Sequence, residues 1–134
     1  KTPKERTRAE STAWCESISV SEEEALKSLG IPLKDIAFDH PNLISYANTK
    51  QEECPHKMGG PASIKVLYSI ISTLLPKNII ETGVAYGWST LAILTGNQNN
   101  KESKLWSIDM PYPFLGNALI INPFLLNGGQ MYNY

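Results

Sequence analysis

The residues best placed to bind a ligand are two glycines and an aspartate in the second half of the chain. Gly83 and Gly87 follow a short apolar, β-branched run that favours a strand, and a helical pattern begins directly after them. Asp109 lies 26 positions after Gly83, at the end of a second apolar run. This distance suits one crossover helix, so it predicts two parallel strands whose carboxyl ends share a ligand site. A carboxylate at that position commonly accepts hydrogen bonds from ribose hydroxyls.

The composition of the turn argues against two common nucleotide classes. It reads Gly-x-x-x-Gly, so the dinucleotide fingerprint Gly-x-Gly-x-x-Gly is missing, and no Gly-Lys-Ser/Thr triphosphate loop is present. Glu81 comes just before the first glycine, where a carboxylate would repel a phosphate and would suit a ligand that carries an ammonium group. A ribose at one end and a cation at the other describe S-adenosylmethionine.

Three segments of the chain resemble the class I S-adenosylmethionine-dependent methyltransferases, in particular the small-molecule O-methyltransferase group. Glu81–Ser89 is similar to their motif I, Leu105–Asp109 to the motif at their second strand, and Lys57–Pro61 to the segment upstream of the first strand. The resemblance covers residues 57–113. It implies an α/β fold with a Rossmann-like, doubly wound parallel sheet, truncated after the second strand and preceded by N-terminal helices.

The resemblance also implies which residues bind S-adenosylmethionine. Asp109 would take the ribose hydroxyls and Met110 would pack on the adenine. Glu81 would lie near the methionine amino group, and Ser89 would bind the methionine carboxylate. The other implied cofactor-binding positions belong to the glycine turn and to the upstream loop: Thr82, Gly83, Val84, Ala85, Gly87 and Met58.

The implied function is methyl transfer to a hydroxyl of a small-molecule acceptor, with this chain as the cofactor-binding half of the enzyme. In the family, the groups that activate the acceptor lie beyond the second strand, so no catalytic residue and no metal ligand is assigned. Two alternatives stay open. One is a nucleotide-dependent oxidoreductase or epimerase with a degenerate glycine loop. The other is a non-catalytic fragment, in which the glycines serve only the turn, Asp109 ends a strand and Ser89 caps a helix.

Composition narrows the setting in which such a protein would act. The chain has 134 residues, 42% of them hydrophobic, which permits one domain with a modest core. A formal net charge of −1 gives no electrostatic case for binding nucleic acid or an acidic membrane. Cys15 and Cys54 form no metal or redox motif, so we expect free thiols in the cytoplasm. No apolar run is long enough to span a membrane, and association with further copies stays open.

The elements that must position these residues fall into three predicted segments. Residues 1–56 are helical or irregular, and residues 57–113 form the cofactor-binding half. Residues 114–134 are an uncharged tail of unclear status, in which residues 118–121 resemble a strand.

Four helices are predicted ahead of the glycine turn. Ser11–Val20 predicts a short helix that docks on the domain through Trp14. Ser21–Gly30 predicts a helix with a capping box formed by Ser21 and Glu24, and Asn42–Lys50 suggests another helix. In the second segment, Pro61 fits the first position of a helix with a buried face, which we expect to contain Ile64, Leu67, Tyr68, Ile71, Leu74 and Leu75.

Overall fold

A computed structural model describes residues 7–55 and 57–109 of the chain. Within these residues the fold combines helices with one small parallel sheet of two strands, an arrangement compatible with the predicted α/β class. Met110 and the predicted tail lie outside the described residues. The elements, in chain order, are α1 (Arg8–Ile18), α2 (Glu22–Ser28), α3 (Ile36–Asp39), α4 (Pro41–Glu53), α5 (Ile64–Leu74), β1 (Asn78–Thr82), α6 (Trp88–Gly96) and β2 (Lys104–Ile108).

The two predicted strands are adjacent and parallel, and α6 forms the crossover between them. Asn78 pairs with Lys104 and Thr82 pairs with Ile108, so both strands end at the same edge of the sheet. This arrangement confirms the order strand, glycine turn, helix and second strand that the sequence predicts. The residues after each strand are therefore brought to one place, as a shared ligand site requires.

The core lies between α4, α5 and α6. One buried cluster joins Ile36, Tyr68 and Ala92, and a second joins Ala47, Trp88 and Leu91. The two helices that flank β1 in sequence approach each other closely. A Cβ added at Gly96 would lie 3.0 Å from a methyl group of Ile71. Core packing therefore fixes α6, and with it the turn that precedes α6.

Two predicted features of the N-terminal segment are wrong in part. Helix α1 forms, and Thr7 and Glu10 make a reciprocal capping box, but α1 has no buried residue. Trp14 is 51% exposed, so it does not anchor the helix in the core. At α2, the Ser21 side chain accepts a hydrogen bond from the Glu24 backbone N–H, as predicted, whereas the Glu24 side chain is not seen to return it.

Helix α5 begins three residues later than predicted, at Ile64 and not at Pro61. Ala62 has a φ of 44°, a left-handed conformation that is incompatible with a right-handed helix, so the helix starts only after it. The helix ends with Leu75 at a φ of 45°. At this end of the helix, Leu74 and Leu75 are 64% and 44% exposed, although the apolar pattern placed both on the buried face.

Helix α3 was missed because four residues are too few to show a helical period, and α4 extends the predicted helix by a few residues at its C-terminal end. Both cysteines are free, as expected, with Cys15 exposed and Cys54 half-buried. None of the helices in the described ranges is both long enough and apolar enough to cross a membrane.

A buried tyrosine joins α5 to the α3–α4 corner. The Tyr68 hydroxyl donates a hydrogen bond of 2.9 Å to Asp39, and the His40 ring meets the Tyr68 ring edge to face, with centroids 6.0 Å apart. Burial, reinforced by the hydrogen bond to Asp39, raises the pKa of Tyr68 to about 12. The folded protein therefore keeps the phenol proton at a pH where the unfolded chain loses it.

We expect the free energy of unfolding to fall between about pH 10 and pH 12 because of Tyr68, whose contribution is complete at lower pH. Tyr68→Phe should lower stability at pH 7 by about 0.5–1.5 kcal/mol through loss of the hydrogen bond, and should weaken the decline above pH 10. Urea denaturation across this pH range measures both effects, with Tyr46→Phe in α4 as the control. Parallel pH profiles for wild type and Tyr68→Phe would contradict the assignment.

Candidate functional site

The site is the turn between β1 and α6, at the carboxyl edge of the sheet. The Gly83 backbone N–H donates to the Ile108 carbonyl at 2.8 Å, which continues the strand pairing one residue past β1. The turn then closes on itself, because the Gly87 N–H donates to the Val84 carbonyl at 2.7 Å. Gly83, Ala85 and Gly87 have φ values of 78°, 47° and 84°. Three left-handed residues in five positions make a tight turn that exposes backbone.

Asp109 lies against this turn, as the sequence predicts. Its carboxylate oxygen Oδ2 accepts a hydrogen bond of 3.1 Å from the Ala85 backbone N–H. The residue after β2 is thus linked to the residue two positions beyond Gly83. A Cβ built on Gly83 would meet no heavy atom of the described residues within 4 Å, so among these residues a ligand has room to approach the backbone beside the carboxylate.

Glu81 has a different environment from the one expected. The side chain is only 6% exposed, and its oxygens accept hydrogen bonds from three hydroxyls: Ser89 at 2.5 Å, Thr90 at 2.7 Å and Ser107 at 2.6 Å. A carboxylate has about four lone-pair sites, so these three bonds leave about one. Glu81 therefore connects β1, β2 and α6, and it has little capacity left for an ammonium group.

Ser89 does not cap α6, which was one of its two sequence interpretations. Helix α6 begins after Gly87, whose left-handed backbone forms the N-cap without a side-chain hydrogen bond. Ser89 lies inside the first turn, and its hydroxyl proton points to Glu81. The N-cap interpretation of Ser89 is therefore wrong. Its hydroxyl donates to Glu81, so that proton is not available to a carboxylate ligand while this hydrogen bond is kept.

Two side chains attach the turn to the segment that precedes α5. The Tyr86 hydroxyl accepts a hydrogen bond of 2.9 Å from the Met58 backbone N–H. The Trp88 indole N–H donates to Gln51, near the end of α4, at 2.5 Å. Met58 is half-buried and is thus brought to the glycine turn, as predicted, by a contact that the spacing of the motifs does not reveal.

Three other predicted cofactor-binding residues are Thr82, Val84 and Met110. Thr82 is exposed and, because side chains alternate along a strand, lies on the face opposite to Glu81. Val84 is half-buried in the turn. Met110 lies outside the described residues. In the ranges that the structure covers, no group of three or more His, Cys, Asp or Glu is placed to hold a metal ion.

Comparison with known proteins adds no relative: the chain matches no protein-family model, no curated protein and no solved structure. A functional interpretation therefore depends on the sequence motifs and on the geometry of the site described above.

The Glu81 cluster predicts a coupled loss of stability. Glu81→Gln replaces an acceptor of three hydroxyl protons by an amide and should lower the free energy of unfolding by about 1.5–3 kcal/mol. Thr90→Val keeps the shape of a fully buried side chain and removes one donor. In a double-mutant cycle measured by urea denaturation, the two losses should be less than additive. Thr73→Val, at an exposed position of α5, is the control, and additive losses would show that the two groups do not interact.

The backbone of the turn gives a separate prediction. The new methyl group of Gly83→Ala meets no atom of the described residues, so we expect its cost to come from the left-handed backbone, about 1–2 kcal/mol. Gly59→Ala also has open space and has no positive φ, so it should leave stability unchanged or slightly raised. Thermal and urea unfolding of both variants test this, and equal effects would mean that Gly83 is not required for its conformation.

Proposed function

We propose that this chain is the cofactor-binding half of an S-adenosylmethionine-dependent methyltransferase that acts on a hydroxyl of a small-molecule acceptor. In this proposal β1, α6 and β2 are the first βαβ unit of a Rossmann-like fold with a doubly wound sheet. The proposal is supported by the motif resemblance together with the parallel β1–α6–β2 unit. The role proposed for the described residues is to bind and orient the cofactor.

The observation that carries the proposal is the contact between Asp109 and the Ala85 backbone N–H. It places a carboxylate beside an exposed glycine backbone, at the carboxyl ends of two adjacent parallel strands. Ribose hydroxyls are suitable donors to such a carboxylate, and the space in front of Gly83 admits a ligand close to the chain. A phosphate directly beside Asp109 is a poor alternative, since the two negative charges would repel each other.

The environment of Glu81 changes the role proposed for that residue. Because three hydroxyls occupy its oxygens, we assign it to positioning and not to direct binding of the methionine amino group. It holds the first turn of α6 against both strands, which fixes the direction in which the backbone N–H groups at the helix start point. Those groups lack partners within the helix and favour an anionic ligand atom such as a carboxylate oxygen.

Calorimetric titration of the full chain with S-adenosylhomocysteine, and separately with NAD, tests the proposal. We expect S-adenosylhomocysteine to bind. Asp109→Ala should weaken binding by about 1–3 kcal/mol, or about 5- to 150-fold, because the ribose hydroxyls lose their acceptor. Glu102→Ala is the matched control, since it removes the same charge from an exposed residue just before β2, at the opposite end of the sheet.

Each other outcome has a distinct meaning. An Asp109→Ala variant with unchanged affinity removes Asp109 from the site. Binding of NAD in place of S-adenosylhomocysteine favours the oxidoreductase or epimerase alternative. If a folded sample binds neither ligand, the glycines serve the turn alone, and the chain is a non-catalytic module.

A further inference from the structure

One face of the sheet, which we call the open face, has no cover among the described residues. It consists of alternate positions of the two strands, all of them exposed: Asn78, Ile80, Thr82, Lys104, Trp106 and Ile108. Three of these residues are large and apolar, with Ile80 71% exposed, Trp106 40% and Ile108 61%. Ile80 and Trp106 are paired across the strands, and Ile108 follows on the same face.

The opposite face shows what a covered face of this sheet looks like. There Glu81 is buried and Ile79 and Leu105 are half-buried. Parallel sheets normally have both faces covered, since their strands are apolar on both sides. The apolar side chains of Ile80, Trp106 and Ile108 thus form a surface of the kind that commonly binds another segment.

The segment that follows β2 has the composition of such a cover. Residues 110–134 contain no Asp, Glu, Lys or Arg, although 19% of the whole chain is charged. Two apolar runs lie within it, Ala118–Ile121 and Phe124–Leu126. Packing these apolar runs on the open face would remove apolar area from water, and Ile108 on that face lies two residues before the segment begins.

The connection is long enough to reach every part of that face. Each strand has five residues, a length of about 16 Å at 3.3 Å per residue. The eight residues between Asp109 and Ala118 can span up to about 26–29 Å when extended. Ala118–Ile121 can therefore lie over Ile80 and Trp106 without any change in the sheet.

We propose that the uncharged segment, residues 110–134, docks on the open face and covers Ile80, Trp106 and Ile108. The docking uses the side chains of Ile80, Trp106 and Ile108, whereas the ligand proposed above contacts the glycine turn and Asp109, so the two proposals are tested separately. A second copy of the chain is the competing occupant, and the experiment below distinguishes the two.

Photo-crosslinking of the full chain tests the docking. Replacing Ile80 with p-benzoylphenylalanine puts the probe on the open face, and the same replacement at Phe38, 85% exposed on α3, is the control. Equal amounts of ¹⁴N- and ¹⁵N-labelled protein are mixed before irradiation, and crosslinked peptides are identified by mass spectrometry. We expect the Ile80 probe to crosslink to residues 110–134 in peptides of a single isotope, and the Phe38 probe not to do so.

A pair of substitutions in the segment provides the second measurement. Ile120→Asp with Leu125→Asp should reduce the intramolecular crosslink yield at position 80 by about tenfold or more, because docking would now bury two carboxylates. Mixed-isotope crosslinks would assign the open face to a second copy and overturn the proposal. The proposal would also be overturned if the probe at position 80 formed no crosslink to residues 110–134, or if the crosslink yield were the same with and without the two aspartate substitutions.

Discussion

The arrangement of the site depends on one buried carboxylate. Glu81 receives hydroxyl hydrogen bonds from the first turn of α6 and from the neighbouring strand, so one side chain fixes three elements at the edge where their ends meet. The register supports this, since Ser107 is the residue directly paired with Glu81. A buried acceptor of this kind is tolerated only while its donors are present, which makes the geometry of the turn and the identity of the three hydroxyl residues mutually dependent.

The backbone of the turn complements that side-chain network. Glu81 binds the first turn of α6, while Gly83 continues the strand pairing and the Ala85 N–H donates to Asp109. Tyr86 and Trp88 extend the same support outward to Met58 and Gln51. The glycine turn is thus held by contacts to β2, α4 and the segment before α5, and a ligand that binds there meets a preorganised backbone.

Sequence patterns predicted the β1–α6–β2 unit because its signals are local: apolar strands, a glycine turn and a helical period. They also predicted that Asp109 would approach the turn, whereas the place of Met58 near it was implied only by the family resemblance. The environment of Glu81 could not be predicted, because it depends on the pairing of Glu81 with Ser107, and strand register is a tertiary property. The start of α5 was misplaced for a related reason. Proline at position 61 suits a helix start, but the left-handed Ala62 that follows it is set by the chain path and not by composition.

Ala85 has a consequence for the way turns of this kind are recognised. It adopts the left-handed backbone that glycine occupies most easily, so residues 83–87 have the conformational sequence of a Gly-x-Gly-x-Gly loop, with a methyl group in the middle. Text patterns that require a glycine at every such position overlook this turn, whereas a pattern that specifies dihedral angles would include it. The turn therefore has three residues in the left-handed conformation, although only two of them are glycines.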